Sequence, residues 1–281
     1  MKVQISETVK WNTRKRSVAG ISMAVFLLSG VLISSLTLGT GALDIQLDAA
    51  YQSPSFSHLF GTDWLGRDML ARTVKGLGLS LGTGLLAALI STLIALMLAL
   101  LTIWNRAADY AVTWLIDLFL SIPHLVLLIL ISFTFSGGFS GTVIGLALTH
   151  WPRLTRLIRG ELKQLQTADY MSLSRKLGKT KRWIARHHVL PHLLPQLFIG
   201  FVLLFPHAIL HESALTFLGF GLPSEQPAIG IILSESMQYL SAGMWWLALL
   251  PGLSLFCLVF LFDWLVSRIK DWADPFHAQG I

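Results

Sequence analysis

Four histidines lie in strongly apolar stretches of this 281-residue sequence, where ionisable side chains are uncommon. His207 and His211 are four residues apart, which places both on one face of a helix, and Glu212 follows directly. His124 and His150 lie in two other apolar stretches. Ionisable groups at membrane depth usually face a bundle interior or a pathway, and neutral imidazoles suit nickel, copper or zinc. We therefore predict that these residues line a translocation pathway, with His207 and His211 as transient metal ligands.

Other interpretations of these histidines stay open. Each imidazole could instead donate a hydrogen bond to a neighbouring backbone carbonyl and have no role in transport. An intramembrane metalloprotease is a remote alternative. Such an enzyme needs the motif HExxH on one helix. Here Ser213, Ala214 and Leu215 follow His211 and Glu212, so the second histidine of that motif is absent. A passive channel would need a filter or a ring of charges, and no such pattern is evident in the sequence.

The composition is that of an integral membrane protein. Hydrophobic residues make up 54% of the chain and charged residues 13%, whereas an average soluble domain has about 25% charged residues. The formal charge of +6 comes from cations that cluster beside the apolar stretches. Positive-inside topology explains them without a nucleic-acid partner. The single cysteine, Cys257, lies in an apolar run and excludes a disulfide framework or a cysteine metal cluster.

The apolar stretches predict six transmembrane helices with both termini in the cytoplasm. We place the spans at about 18–39, 77–104, 108–133, 142–158, 192–212 and 244–267. The third would be kinked at Pro123. Only Arg67, Arg72 and Lys75 of the 21 Lys and Arg residues then fall outside the cytoplasm, which supports this orientation. The first stretch follows a basic N-terminus as a signal peptide would, but its length favours a retained span.

This topology divides the chain into five segments. They are a cytoplasmic N-terminus at 1–17, a first transmembrane helix at 18–39, an extracytoplasmic segment at 40–75, a core domain at 76–268 and a cytoplasmic tail at 269–281. In the extracytoplasmic segment, Gly61, Thr62 and Asp63 predict a turn and a helix cap. An interfacial helix would follow, with Trp64 at headgroup depth.

A dense basic segment lies between the fourth and fifth predicted spans. Residues 153–191 hold ten of the 21 Lys and Arg residues. Gly178 separates two short helices there, and the second runs into Leu190 and Pro191. The apolar face of the first helix consists of Tyr170, Leu173 and Leu177. We call these three residues the apolar ridge; an exposed ridge of this kind on the cytoplasmic side needs a partner.

Several motifs follow one another in order along the chain. FGTDWLGRD at 60–68 comes first, then Gly178 with Leu190-Pro191, and then ESALTFLGFGLP at 212–223. Pro251-Gly252 and Asp274-Pro275 complete the series. Together these motifs resemble the permease subunits of ABC importers in the dipeptide, oligopeptide and nickel family, and in particular the second, C-type subunit. The resemblance covers about residues 59–275.

The resemblance implies that residues 159–191 couple the chain to an ATPase subunit, and we call them the coupling loop. The implied coupling residues are Tyr170, Leu173, Arg175, Lys176, Leu177, Gly178, Arg182, Leu190 and Pro191. The apolar ridge would pack in a groove of the ATPase, and the cations would pair with acidic residues at its rim. The loop departs from the family pattern in two places: Ser172, Leu173 and Ser174 replace Glu-Ala-Ala, and His188 replaces Ile.

The resemblance also implies the fold and the partners. The fold would be all-α, a type I ABC importer permease with six spans in the bacterial inner membrane. The partners would be a second, homologous permease subunit, two cytoplasmic ATPase subunits, an extracytoplasmic solute-binding protein and the lipid bilayer. The chain would be no enzyme and would hold no cofactor. ATP and Mg²⁺ would bind to the ATPase partners, because Gly178, Lys179 and Thr180 match only the end of a GxxxxGK[ST] loop.

The histidines determine the predicted cargo. An HxxxH pair just before the LTFLG run, with a histidine directly before Trp151, is more similar to the nickel permeases of the family than to its peptide permeases. Our favoured cargo is therefore nickel or a metal-chelate (metallophore) complex, bound weakly enough to be released. The alternative cargo is a dipeptide or an oligopeptide.

Overall fold

The computed structural model describes residues 3–103 and 105–273, and the regular elements there are helical. The α-helices are α1 (Val3–Thr37), α2 (Met69–Leu101), α3 (Arg106–Ser121), α4 (His124–Thr134), α5 (Gly138–Thr167), α6 (Asp169–Lys176), α7 (Lys181–Ile184), α8 (Leu190–Phe217), α9 (Ile229–Leu240) and α10 (Trp246–Ala273). A π-helical turn, Ala185–Val189, joins α7 to α8. The predicted all-α fold class is confirmed. The last part of the predicted tail, 274–281, lies outside the described residues, and so does its Asp274-Pro275 motif.

Among the described residues, four helices are long and apolar enough to cross a membrane. They are Lys15–Thr37 within α1, Met69–Leu101, Arg182–Phe217 and Trp246–Trp272. α3 and α4 together would make a fifth, although they are bent by 99°. The predicted fourth span lies within α5, whose second half carries the first cations of the coupling loop. Several membrane passes are thus confirmed, while the count of six and the side of each terminus stay predictions.

The predicted kink at Pro123 is a sharp bend between two separate helices. α3 ends at Ser121, and Ile122 is extended, with φ −89° and ψ 136°. The residue before a proline avoids helical angles because the proline ring would clash with it, and Pro123 has no N–H with which to continue the ladder. α4 therefore starts anew at His124, at 99° to α3. The bend places the His124 ring against histidines of α5 and α8.

The core forms where α2, α5 and α8 pack closely together. Small residues make this possible, because they let helix backbones approach each other. A Cβ added to Gly84 of α2 would lie 3.0 Å from Cγ1 of Ile209 on α8. A Cβ added to Gly200 of α8 would lie only 2.4 Å from Cδ1 of Leu154 on α5. These contacts hold α5 and α8 side by side, so that side chains on their facing surfaces meet.

Large apolar side chains also cover the outside of the helices. Phe26 and Leu36 on α1, Met97 on α2 and Phe133 on α4 are each between 67% and 75% exposed. A soluble protein rarely presents such an apolar surface to water, whereas lipid tails are as apolar as these side chains. The outer surface is therefore suited to contact with lipid.

The FGTDWLGRD motif folds into a buried ionic network, which we call the Asp63 network. Asp63 is fully buried and accepts hydrogen bonds from the backbone N–H groups of Leu65 and Arg67, both at 2.9 Å. Its Oδ2 also accepts from Nε of Arg67 and from Nη1 of Arg72, both at 2.7 Å. Nη2 of Arg72 donates to Glu235 on α9 at 2.8 Å. The network therefore joins the loop before α2 to α9.

The cap of α2 is Asp68, which corrects the interpretation of Asp63 as the cap. The Asp68 carboxylate accepts a hydrogen bond from the backbone N–H of Ala71 at 2.8 Å, while Asp63 organises the turn that precedes it. The physical reason is position, because Asp63 lies six residues before the first residue of α2 and its carboxylate accepts from the backbone N–H groups of Leu65 and Arg67 instead. The interfacial helix predicted after Asp63 is absent, because residues 64–68 are non-helical and α2 begins at Met69. The Trp64 ring stacks on Tyr239 of α9 with centroids 5.2 Å apart, and its position at headgroup depth stays a prediction.

Candidate functional site

Three of the four pathway histidines converge in the structure. His124 begins α4, His150 lies in the middle of α5, and His211 lies near the end of α8. Their ring centroids are 4.8 Å apart for His124 and His150, 4.3 Å for His124 and His211, and 5.3 Å for His150 and His211. One nitrogen from each ring lies within 4.8 Å of the other two. We call these three residues the histidine cluster.

The hydrogen bonds of His150 leave one of its nitrogens unpaired. Its Nδ1 is 2.8 Å from the carbonyl oxygen of Leu146, one turn earlier on α5. A carbonyl can only accept, so this nitrogen carries the proton and Nε2 keeps a lone pair. The whole residue is only 8% exposed, and Nε2 is buried without a hydrogen-bond partner in the described residues. The alternative of a carbonyl-bonded histidine thus accounts for one nitrogen of His150 and leaves the other available to the cluster.

His124 presents a second unpaired nitrogen. Its Nδ1 is buried and has no hydrogen-bond partner among the described residues. Buried polar atoms are normally hydrogen-bonded, so each exception calls for a physical explanation. Two such atoms therefore lie on adjacent rings of the histidine cluster.

His207 lies outside the histidine cluster. It precedes His211 by one helical turn on α8, as the sequence predicts, but its side chain is exposed. His211 instead contacts the rings of His124 and His150. The ligand pair of His207 and His211 stays a prediction. The sequence carries no signal for the grouping that occurs, because that grouping depends on how three helices pack.

Glu212 is directed into a separate set of hydrogen bonds. Its carboxylate is fully buried and accepts from Ser80 of α2 at 2.6 Å, from Thr216 at 2.9 Å and from Ser213 at 3.3 Å. The Thr216 hydroxyl also accepts from the backbone N–H of Leu222 at 3.2 Å. Glu212 therefore ties α8 to α2 and to the loop that follows.

The coupling loop presents its apolar ridge to the outside. Tyr170 is 44%, Leu173 56% and Leu177 68% exposed. Met171, on the opposite face of α6, is 2% exposed and anchors the helix. The other coupling residues, Arg175, Lys176, Gly178, Arg182, Leu190 and Pro191, are also exposed. Gly178 has a φ of +71°, a conformation that glycine adopts readily, and it turns the chain from α6 towards α7 as predicted.

The two departures from the family pattern in the coupling loop contact each other. The hydroxyl of Ser174 on α6 is 3.0 Å from Nε2 of His188 in the π-helical turn. The Tyr170 ring lies against the same imidazole, with centroids 5.4 Å apart. His188 therefore closes the two arms of the loop with a polar contact.

Ion pairs connect the coupling loop to the helix bundle. Arg159 and Lys163, on the last turns of α5, both pair with Asp109 at the start of α3. Both ion pairs are partly exposed to solvent, so each contributes only modestly to the stability of the fold. His192, at the start of α8, lies 3.3 Å from Glu161 on α5. These contacts connect the loop to α3, α5 and α8, and the last two carry members of the histidine cluster.

Comparison with known proteins assigns the larger part of the chain to one family model. The model describes a binding-protein-dependent transport system inner membrane component and matches residues 91–272. A protein of Brucella suis biovar 1 that bears the name of a peptide transport system permease is 29% identical over 265 residues, which are 93% of this chain and 88% of that protein. The dipeptide transport system permease protein DppC of Bacillus subtilis is 28% identical over 262 residues, which are 93% of this chain and 82% of DppC.

A solved structure shows the same fold. The MetNI methionine ABC transporter in an inward-facing conformation aligns with a TM-score of 0.56 at 22% identity, over 72% of this chain and 97% of that one. At this identity the likeness concerns the fold alone. It confirms the predicted fold of a type I ABC importer permease.

Proposed function

Because this chain belongs to the family of binding-protein-dependent transport system inner membrane components, we propose that it is the permease subunit through which peptides cross the membrane in an ABC importer. The chain is a multi-pass protein of the bacterial inner membrane and a transport subunit rather than an enzyme. This family membership excludes the alternative interpretation of the chain as an intramembrane metalloprotease. An importer of this kind has ATP-hydrolysing partners and a binding protein. We further propose that ATP and Mg²⁺ bind only to those partners and that a second, similar permease completes the pathway.

Peptides are the cargo that the similarities support best. Both curated relatives described above are named as peptide or dipeptide permeases, and each match extends over 93% of this chain. Our sequence interpretation favoured nickel or a metal chelate and kept dipeptides or oligopeptides as the alternative. The relatives support that alternative better than nickel or a metal chelate as the transported solute.

The exposed apolar ridge supports the proposed coupling to an ATPase. Leu173 and Leu177 are more than half exposed, although the helix that carries them is anchored by Met171. Arg175 and Lys176 flank them on the exposed side. An amphipathic helix with a free apolar face and neighbouring cations fits a groove with an acidic rim. ATP-driven closure of the partners would then move α5 and α8 through the loop.

Coupling can be tested by placing a charge on the ridge. In Leu173→Asp the ridge would have to bury a carboxylate, so we expect ATP-driven uptake of a labelled dipeptide to fall at least tenfold and the ATPase subunits to be lost on purification. Ser172→Asp, an exposed neighbour off the ridge, is the matched control and should keep at least half of the uptake. Equal uptake in both variants would exclude the ridge as the coupling surface.

The cargo can be tested in cells that lack this chain. A labelled dipeptide and radioactive nickel salt are supplied separately, with and without the restored gene. We expect restoration to increase dipeptide uptake at least tenfold and to leave uptake of the nickel salt unchanged. Restored nickel uptake without dipeptide uptake would contradict the peptide proposal and return the assignment to free nickel.

A further inference from the structure

We infer that His124, His150 and His211 bind a divalent transition-metal ion, of the Ni²⁺, Cu²⁺ or Zn²⁺ class, while that ion crosses the pathway as a complex with a peptide. The inference rests on the proposed function, because it takes peptides as the transported solute. It gives the histidine cluster a ligand class and narrows the cargo to peptides that include metal complexes.

The protonation of His150 prepares a ligand atom. Its Nδ1 donates to the Leu146 carbonyl at 2.8 Å, which fixes the ring orientation and leaves Nε2 as a lone-pair donor. Metal-bound histidines characteristically donate their other N–H to a carbonyl or carboxylate in this way, and the contact strengthens the ligand. This residue is 8% exposed, and its Nε2 has no hydrogen-bond partner in the described residues. The nitrogen is therefore desolvated and available to a metal ion.

The spacing of the rings suits three-nitrogen ligation after a small adjustment. One nitrogen of each histidine lies within 4.8 Å of the other two. A metal ion bound at about 2.0–2.1 Å by each imidazole brings the nitrogens to about 3.3 Å from one another. Rotation of the His124 and His211 rings about χ2, which is a soft torsion for histidine, can supply that approach while His150 keeps its hydrogen bond to Leu146. The three rings come from α4, α5 and α8, so the ion would also join three helices.

The charges around the cluster favour a complexed ion over a bare dication. The three ligands are neutral imidazoles, and Glu212 is occupied by the hydroxyl groups of Ser80, Ser213 and Thr216. None of the three ligands carries the negative charge that would offset a buried dication, and a buried charge without a paired ligand is costly. A peptide supplies the missing negative charge through its carboxylate or a deprotonated amide, and three imidazoles leave a coordination position open for it.

The test compares two sources of the ion in the complete importer, reconstituted in nanodiscs with its partner subunits. The probes are Ni²⁺ alone and Ni²⁺ with glycyl-histidine, which leaves part of the coordination shell open. We expect the complex to bind at least tenfold more tightly than Ni²⁺ alone. Equal binding of both probes would overturn the part of the inference that concerns the peptide.

Variants identify the ligands. His124→Ala, His150→Ala and His211→Ala are each expected to weaken binding of the complex at least tenfold, and His150→Gln should do the same with less change in volume. His192→Ala, on the same helix as His211 but beside Glu161, is the matched control and should bind within twofold of the unaltered chain. Unchanged binding in all cluster variants, or loss in His207→Ala alone, would overturn the assignment.

Two further measurements separate a structural failure from a true result. Cobalt replaces nickel in the first, since its visible spectrum reports imidazole ligation, and each cluster variant should change that spectrum. Uptake of labelled dialanine, which binds metal weakly, is the second, and the unaltered importer should take it up. If the unaltered importer takes up dialanine but does not bind the nickel complex, this inference fails and the proposed function stands. If it takes up no dipeptide, the proposed function itself fails.

Discussion

The Asp63 network and the histidine cluster are both groups of ionisable side chains inside the chain, and they differ in how fully their polar atoms are paired. The Asp63 carboxylate accepts four hydrogen bonds, and Arg72 bridges it to Glu235. In the cluster, Nδ1 of His124 and Nε2 of His150 have no partner in the described residues. In the first arrangement the polar atoms pair with one another, and in the second two buried nitrogens are unpaired within the described residues.

This difference is the basis on which we infer a structural role for the Asp63 network and a ligand-binding role for the histidine cluster. A buried charge that is completely paired costs much to break and offers nothing to a ligand. A buried lone pair without a partner costs the fold some stability but can be compensated by an added group. Both motifs attract attention in the sequence, and only the pairing of their atoms distinguishes their roles.

The largest expected effect comes from breaking the Asp63 network. Asp63→Ala would leave Arg72, which is 3% exposed, without its shortest ion pair. Removal of one partner from a buried pair typically costs about 3–5 kcal/mol. We expect the purified subunit to lose about this much free energy of unfolding, measured by denaturant titration in detergent.

Two companion variants keep this test specific. Asp68→Ala removes only the cap of α2, so the expected loss is about 1 kcal/mol. His124→Ala is expected to cost about 1 kcal/mol or less, because its Nδ1 has no hydrogen bond to lose in the described residues. If His124→Ala destabilised the chain as strongly as Asp63→Ala, the contrast between the two regions would be wrong.

An intermediate effect is expected at Glu212, which is paired like Asp63 although it adjoins the histidine cluster. Glu212→Ala removes the acceptor of three hydroxyl groups that are buried around it. Buried donors left unpaired cost about 1–3 kcal/mol, and the same titration should show a loss of that size. Glu225→Ala, at an exposed position, should change the free energy of unfolding by no more than about 0.5 kcal/mol. Loss of nickel-complex binding without loss of stability would assign Glu212 to the pathway instead.

The sequence predicts the helices of this chain better than the packing contacts between them. Apolar length was enough to find α2, α8 and α10, since a span of about 20 apolar residues is a strong signal by itself. Pro123 predicted an interruption, but the proline does not determine the angle between α3 and α4. That angle depends on packing against α5, where a Cβ on Gly145 would lie 3.0 Å from Leu128 of α4.

The sequence identifies the histidines of the candidate site but does not show which of them lie together. HxxxH spacing selects His207 and His211 because neighbours along one helix are visible in a sequence. The convergence of His124 and His150 on His211 requires a bend and two close helix contacts, which no local pattern encodes. Asp63 shows the same limit, because its spacing is also that of a cap and only the start of α2 at Met69 decides between the roles.

The smallest expected effect concerns a contact that is paired but partly exposed, between Ser174 and His188. These residues replace Ala and Ile of the family pattern, and their side chains lie 3.0 Å apart. Ser174→Ala should lose that hydrogen bond, worth about 0.5–1.5 kcal/mol when well formed, and should lower the ATP hydrolysis stimulated by the binding protein about twofold. Ser174→Ala combined with His188→Ile restores an apolar contact, so stimulated hydrolysis should return to near the original rate. If the loss of stimulated hydrolysis in the double variant equalled the sum of the losses in the two single variants, the two replacements would act independently. The contact between Ser174 and His188 would then have no role in the loop.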